Sequence, residues 1–193
     1  MKVTGVLILI AFYSVYFGKM LLQHKKGIRT NQMATGSLKD RVFYQEAFLK
    51  AITVLIVVIE FISIFMVKPA ETAVFGAVLG VSGIVVFFLA VYAMKDSWRA
   101  GLAREDKTRI ITGGIYAYSR NPAFLGFYLV YTGLLLMFFN WPLFAITIIA
   151  IAGLHNQILQ EEKHLSTVFG AEYMEYKQGV NRYLGRKRGH KPM

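Results

Sequence analysis

Residues 73–94 read Ala-Val-Phe-Gly-Ala-Val-Leu-Gly-Val-Ser-Gly-Ile-Val-Val-Phe-Phe-Leu-Ala-Val-Tyr-Ala-Met, without one charged side chain. As an α-helix this stretch rises about 33 Å, enough to cross a hydrocarbon core about 30 Å thick. It is not alone. Val3–Leu22, Ala51–Val67 and Pro122–Phe139 are apolar blocks of roughly 26–30 Å as helices, and the charges lie between them. Pro142–Leu154 is a fifth block of only about 20 Å, too short to span unless its helix continues into His155–Gln160.

Composition agrees with the blocks. The 193 residues are 55% hydrophobic and 17% charged, with a mean hydropathy of +0.46. An average soluble domain carries about 25% charged residues, so disorder, collagen-like repeats and a solvated tail are excluded. The segments outside the blocks are too short for a separate soluble domain, which leaves a single integral membrane domain over 1–193. The predicted fold is an all-α polytopic membrane protein, five transmembrane helices followed by a cytoplasmic C-terminal helical segment.

The net charge of +11 and pI near 9.8 would suggest nucleic acid in a soluble chain. Here the positive-inside rule accounts for them, and no nucleic-acid partner is expected. Nineteen of the 22 Lys and Arg residues fall within 19–46, 95–121 and 155–193, three segments separated by pairs of apolar blocks. All three should be cytoplasmic, with the N-terminus outside and the C-terminus inside. Lys2 before the first block allows a signal peptide. The apolar run of about twenty residues is longer than a typical signal core, and no small-residue cleavage site follows, which favours an uncleaved anchor.

Because Arg120 and Lys163 belong to the same side, blocks four and five must form a hairpin. Asn140-Trp141-Pro142 supplies its turn, with Pro142 ending the preceding helix and Trp141 at the interface. Thr30–Ser37 reads as a polar loop. In the tail, Leu165, Val168, Phe169, Tyr173 and Tyr176 have helical spacing, and Gly170 interrupts that helix as a C-cap. After Arg182 the chain is basic and frayed, suited to anionic lipid headgroups.

Chemistry is expected where polar residues are dense and unusual, over 108–124, Thr-Arg-Ile-Ile-Thr-Gly-Gly-Ile-Tyr-Ala-Tyr-Ser-Arg-Asn-Pro-Ala-Phe. Gly113-Gly114 permits a turn with positive φ, and Pro122 starts the fourth block where a missing N–H costs nothing. Arg120 and Asn121 thus stand at a helix mouth, where exposed amides favour a carboxylate or another anion. An interfacial Arg that merely anchors the helix is the plainer alternative. A second candidate is Gln157, Glu161 and Glu162; Gln157 and Glu161 are four apart on one helix face and Glu162 points elsewhere, and a solvated acidic turn is the alternative. The hairpin brings both candidates to one side. Glu60, inside the second block, is either functional or reaches the interface or a Tyr neighbour. The chain has no cysteine, and its four His show no metal-ligand spacing, so no metal site is expected.

Gly114-Ile115-Tyr116-Ala117-Tyr118-Ser119-Arg120-Asn121-Pro122 with Gly126, then Glu161-Glu162-Lys163-His164-Leu165 with Phe169-Gly170-Ala171-Glu172-Tyr173-Met174-Glu175-Tyr176, resembles the isoprenylcysteine carboxyl methyltransferases. The related phospholipid methyltransferases share parts of this pattern. The match covers roughly 95–183, and the size is similar to that of a minimal prokaryotic member, which implies a prokaryotic cell membrane. The resemblance implies a cofactor-binding and catalytic part over 95–183 and S-adenosyl-L-methionine as cofactor. It points to Thr108, Arg109, Ile110, Ile111, Tyr116, Asn121, Pro122, Ala123, Phe124 and Glu161 as cofactor contacts. Arg120 and Gln157 are the expected catalytic residues, with Gln157 on the substrate side. Three positions depart from the family pattern: Asn121 replaces a His, Phe124 a Tyr, and Gln157 an arginine of the eukaryotic members.

The implied function is methyl transfer from S-adenosylmethionine to a carboxylate of a lipid-modified, prenylcysteine-like substrate. The partners would be a lipophilic small molecule or lipidated peptide, and the membrane lipids. The alternatives are a lipid amine N-methyltransferase, an NADPH-dependent sterol-type reductase, and a small transporter or membrane scaffold. A transporter should show paired interrupted helices at the midplane, where this sequence offers only Glu60.

Overall fold

The computed structural model describes residues 1–35, 39–101 and 109–187. Among the described residues five α-helices follow one another: α1 (Lys2–His24), α2 (Arg41–Met66), α3 (Ala73–Met94), α4 (Pro122–Met137) and α5 (Trp141–Gly179). Short 3-10 turns occupy Lys95–Ser97 and Gly114–Ala117. The expected all-α polytopic class is what the chain adopts. Among the described residues four helices, all but α4, are long and apolar enough to cross a membrane.

The last hairpin divides its length differently from the expectation. The fourth helix is the short one: α4 has 16 residues, a rise of about 24 Å. Phe138 leaves the helix at φ −135° and ψ 51°. Asn140 then accepts a hydrogen bond from Leu143 N at 3.0 Å and starts α5. Pro142 therefore sits in the first turn of α5 instead of ending α4. With no break at Leu154, α5 runs on for 39 residues, kinked where Gly170 takes φ 52° and ψ −120°. About twenty residues cross a bilayer, so α5 leaves the apolar region near Gln160.

α4 occupies the middle of the bundle. Val130, Leu134 and Met137 join Phe12, Phe87 and Trp98 in one core cluster, while Tyr131 and Leu135 join Leu49, Ile56, Leu143 and Ile146 in another. Glycines let α3 and α4 touch backbone to backbone in antiparallel register. A Cβ on Gly76 would stand 2.5 Å from the Gly133 carbonyl oxygen, and one on Gly83 2.8 Å from that of Gly126. Small residues serve this purpose in membranes, where apolar burial gives no drive for helices to associate. The outward faces carry exposed Leu7, Leu55, Ile62, Val81, Val85 and Phe88, as lipid-facing helices do.

The three basic segments meet at one end. Lys26 Nζ lies 2.9 Å from Asp96 Oδ2, Gln32 N donates to Ala100 O at 2.8 Å, and Gln160 donates to Gln45. At the opposite end Lys2 Nζ donates to Phe65 O at 2.7 Å and Asn140 Nδ2 to Ser63 Oγ at 2.9 Å. The tail corrects one expectation. Residues 183–187 are not frayed but fold back, with Gly185 N bonded to Tyr118 O at 2.7 Å and Lys187 N to Gly179 O at 2.9 Å. Gly185, at φ 101°, makes that turn, and the Arg186 guanidinium covers the Tyr118 ring at 4.9 Å.

Candidate functional site

The segment before α4 is held by the tail. Gly114 takes φ 62°, opening the 3-10 turn that buries Tyr116. The Tyr176 hydroxyl donates to Tyr116 O at 2.7 Å and lies 3.3 Å from Ser119 O. Burial first, then Tyr176 and Glu161 nearby, raise the Tyr116 phenol above its ordinary pKa. The chain next delivers Arg120 and Asn121 to the mouth of α4.

The anion favoured at that mouth is the chain's own Glu162. Arg120 Nη2 lies 2.8 Å and Nε 3.1 Å from Glu162 Oε1, and Asn121 Nδ2 donates to the same oxygen at 3.1 Å. Arg182 Nη2 pairs with Oε2 at 2.9 Å. Arg120 Nη1 donates to Val180 O at 2.8 Å and Lys177 O at 3.2 Å. The Arg120 and Glu162 side chains are only 5% and 4% exposed. Burial alone would push the Glu162 carboxyl up; hydrogen bonds from Arg182, Arg120 and Asn121, with the Arg120 charge, hold it below its ordinary value. This cluster ties the sequence motif at 114–122 to the one at 161–176.

Beside it lies a cavity of about 590 Å³ bounded by α1, α2, α4, α5 and the 98–101 segment. It extends from Leu9 to Met20 along α1 and from Lys50 to Phe61 along α2, about 16 Å of helix rise on each. Most of its wall is apolar. At the basic end it meets Asn31, Gln157 and Glu161, with Ala123 and Phe124 on the α4 side. Gln157 Nε2 donates to Glu161 Oε1 at 2.9 Å. Buried Gln23 holds the Trp98 backbone, donating to Trp98 O at 3.1 Å, and accepts from Thr30 Oγ1 at 2.7 Å. Asn31 and Ala100 form an isolated β-bridge next to it.

The expected site residues divide into groups. Ala123, Phe124, Gln157 and Glu161 share the cavity. Arg120 and Asn121 face Glu162, and Pro122 is buried in the first turn of α4. Ile110 packs on Tyr173, Tyr176 and Val180, Ile111 is half-buried, and Arg109 is exposed. Thr108 lies outside the described residues. Sequence reasoning placed Glu162 in the second candidate without giving it a partner, and gave no role to Arg182, Asn31 or Trp98. Only the adjacency of Glu162 to Glu161 offered a signal; Arg182 looked like one more basic residue of the tail.

Fold and site thus define a polytopic helical membrane protein with its polar machinery at the basic end. A family model described as phospholipid methyltransferase matches residues 71–172, and the chain belongs to that family. Over 79 residues it is 35% identical to a protein-S-isoprenylcysteine O-methyltransferase of Saccharomyces cerevisiae, covering 40% of this chain and 33% of that one. It is 34% identical over 110 residues to a probable protein-S-isoprenylcysteine O-methyltransferase of Oryza sativa subsp. indica, covering 55% and 57%. Protein-S-isoprenylcysteine O-methyltransferase B of Arabidopsis thaliana is 32% identical over 81 residues, 41% of each chain. The matches therefore span between a third and somewhat over half of these relatives' length. They bear out the resemblance drawn from the two motifs.

Proposed function

We propose that this chain is an S-adenosylmethionine-dependent membrane methyltransferase that esterifies the carboxylate of a lipid-modified, prenylcysteine-like acceptor. The observation that carries this reading is the cavity, mostly apolar along about 16 Å and ending on Gln157 and Glu161 at the basic end. The names of the yeast, rice and Arabidopsis relatives support the acceptor class. We place the N-terminus outside and the basic end in the cytoplasm, where a soluble donor arrives.

The residues suit the donor. Glu161 lines the cavity and receives one hydrogen bond, from Gln157, among the described residues, so it retains acceptor capacity for a cationic amine. We assign cofactor contacts to residues 108–111, Tyr116, Asn121–Phe124 and Glu161, and the cofactor-binding and catalytic part to 95–183. When bound, the donor supplies a methyl on a positive sulfur; transfer to a carboxylate oxygen forms an ester and leaves a neutral thioether. A carboxylate with a pKa near 4 is already ionised at neutral pH, so no general base is needed. The protein's part is positioning, which can supply about 7–11 kcal/mol. Gln157 orients Glu161 and faces the acceptor; Arg120 positions the cofactor segment through Glu162 rather than meeting the acceptor itself.

The family model's description favours one second reading, methylation of a lipid amine. Glu161 would there receive the amine's proton. Titration calorimetry of the purified protein against S-adenosylhomocysteine and against NADPH tests the reading: the first should bind and the second should not. Binding of NADPH alone would make the chain a reductase.

A further inference from the structure

Three charged side chains line the cavity among the described residues, and only Glu161 is negative. The positive ones are Lys50 on α2 and Arg99 in the 98–101 segment. Arg99 turns Nη1 to its own chain, donating to Asp96 O at 2.6 Å and to Trp98 O at 2.9 Å. The Lys50 side chain is exposed, and its ammonium has no hydrogen-bond or ion-pair partner among the described residues.

The packing of α2 on α5 sets the depth of Lys50. Gln160 donates to Gln45 at the basic end, and deeper along both helices a Cβ on Gly153 would stand 3.0 Å from Leu49 Cδ1. Lys50 follows Leu49, so it lies about one helical turn, roughly 5 Å, from the level of Gln157. Its flexible four-carbon stem covers that step.

A carboxylate drawn into a mostly apolar cavity needs a counter-charge, because an unpaired buried anion is costly. Gln157 is neutral and already donates to Glu161, and Arg120 is sealed against Glu162. Glu161 would repel a second carboxylate. Lys50 supplies the missing charge. Methyl transfer turns the acceptor's carboxylate into a neutral ester, which offers an ammonium no ion pair.

We propose that Lys50 pairs with the acceptor's carboxylate and thereby makes the cavity select the free acid over its methyl ester. This rests on reading the cavity as the acceptor site.

The test uses S-decyl mercaptoacetate and its methyl ester. The sequence has two Trp, and Trp98 lines the cavity, so Trp141→Phe leaves Trp98 fluorescence as the sole binding signal. The two probes partition differently into detergent, so the quantity compared between proteins is the ratio of acid to ester affinity. That ratio should fall about tenfold in Lys50→Met, the worth of a hydrogen bond to a charged group, and should be retained in Lys50→Arg. Lys50→Met replaces an exposed side chain with one of similar length, so the fold should tolerate it. A ratio unchanged by Lys50→Met, a ratio lost equally in Lys50→Arg, a fall seen in Arg99→Gln instead, or no binding of either probe would each overturn the inference. Methyl transfer from labelled S-adenosylmethionine, followed in parallel, separates the two proposals. A Lys50-dependent preference for the acid without transfer upholds the ion pair and contradicts the methyltransferase reading; transfer with a ratio that Lys50→Met leaves unchanged does the reverse.

Discussion

Arg120 and Glu162 stand 42 residues apart in the chain and 2.8 Å apart in the fold, both side chains almost sealed from solvent. Removing one partner of a buried pair typically costs about 3–5 kcal/mol when the remaining charge has no other partner. Glu162 keeps Arg182 at 2.9 Å, so Arg120→Met should lower thermal stability by less than that range. Arg120→Lys keeps the charge but not the planar fork that bonds Glu162, Val180 and Lys177 together. That variant should fold, with faster hydrogen exchange at Gly185 and Lys187, whose amides hold the tail against Tyr118 and Gly179. Unchanged exchange there would return Arg120 to a simple helix anchor.

Glu161 carries the cofactor side of the proposal. A hydrogen bond involving a charged group contributes about 1.5–3 kcal/mol, so Glu161→Gln should weaken S-adenosylhomocysteine binding roughly 10- to 150-fold. Glu172→Gln, on an exposed position of the same helix, is the control and should bind as before. Equal affinities in the two variants would remove Glu161 from the donor site.

The orientation proposal is open to labelling because the chain has no cysteine. Single cysteines at Thr35 and Gln178, both exposed near the basic end, should react with an impermeant maleimide from the cytoplasmic side only. One at Glu71, in the turn before α3, should react from outside only. Same-side labelling of Glu71 and Gln178 would contradict the topology.

Gly133 tests how α3 and α4 are held. A Cβ there would stand 2.6 Å from Gly76 O and 2.7 Å from Gly80 N, both backbone atoms. Gly133→Ala should cost about 1–3 kcal/mol by overpacking. Gly18→Ala, with nothing within 4 Å of the new atom, should be neutral or gain up to about 1 kcal/mol of helix stability. Thermal unfolding in detergent compares the two.

Much of this architecture is written in the sequence, because length and uninterrupted apolarity decide membrane helices almost alone. Residues 73–94 illustrate it: the apolar block and α3 have the same bounds. The last hairpin was less legible, since Asn140 and Phe138 fix its corners through hydrogen bonding and dihedral angles that hydropathy does not report. The site divides in the same way. Gln157 and Glu161 share a helix face by arithmetic, and they do bond. The partnership of Glu162 with Arg120 and Arg182 depends on how the tail folds back over Gly185, a long-range outcome without a local pattern.

The central claim is that a methyl group passes from S-adenosylmethionine to a carboxylate at the basic end of the cavity. The direct measurement incubates purified protein with methyl-labelled S-adenosylmethionine and an S-prenylated mercaptopropanoate, then treats the lipid product with alkali. The account predicts label in the lipid fraction that alkali releases as volatile methanol, and loss of most of it in Glu161→Gln. Label that resists alkali on an added lipid amine, or no label in the lipid at all, would contradict it.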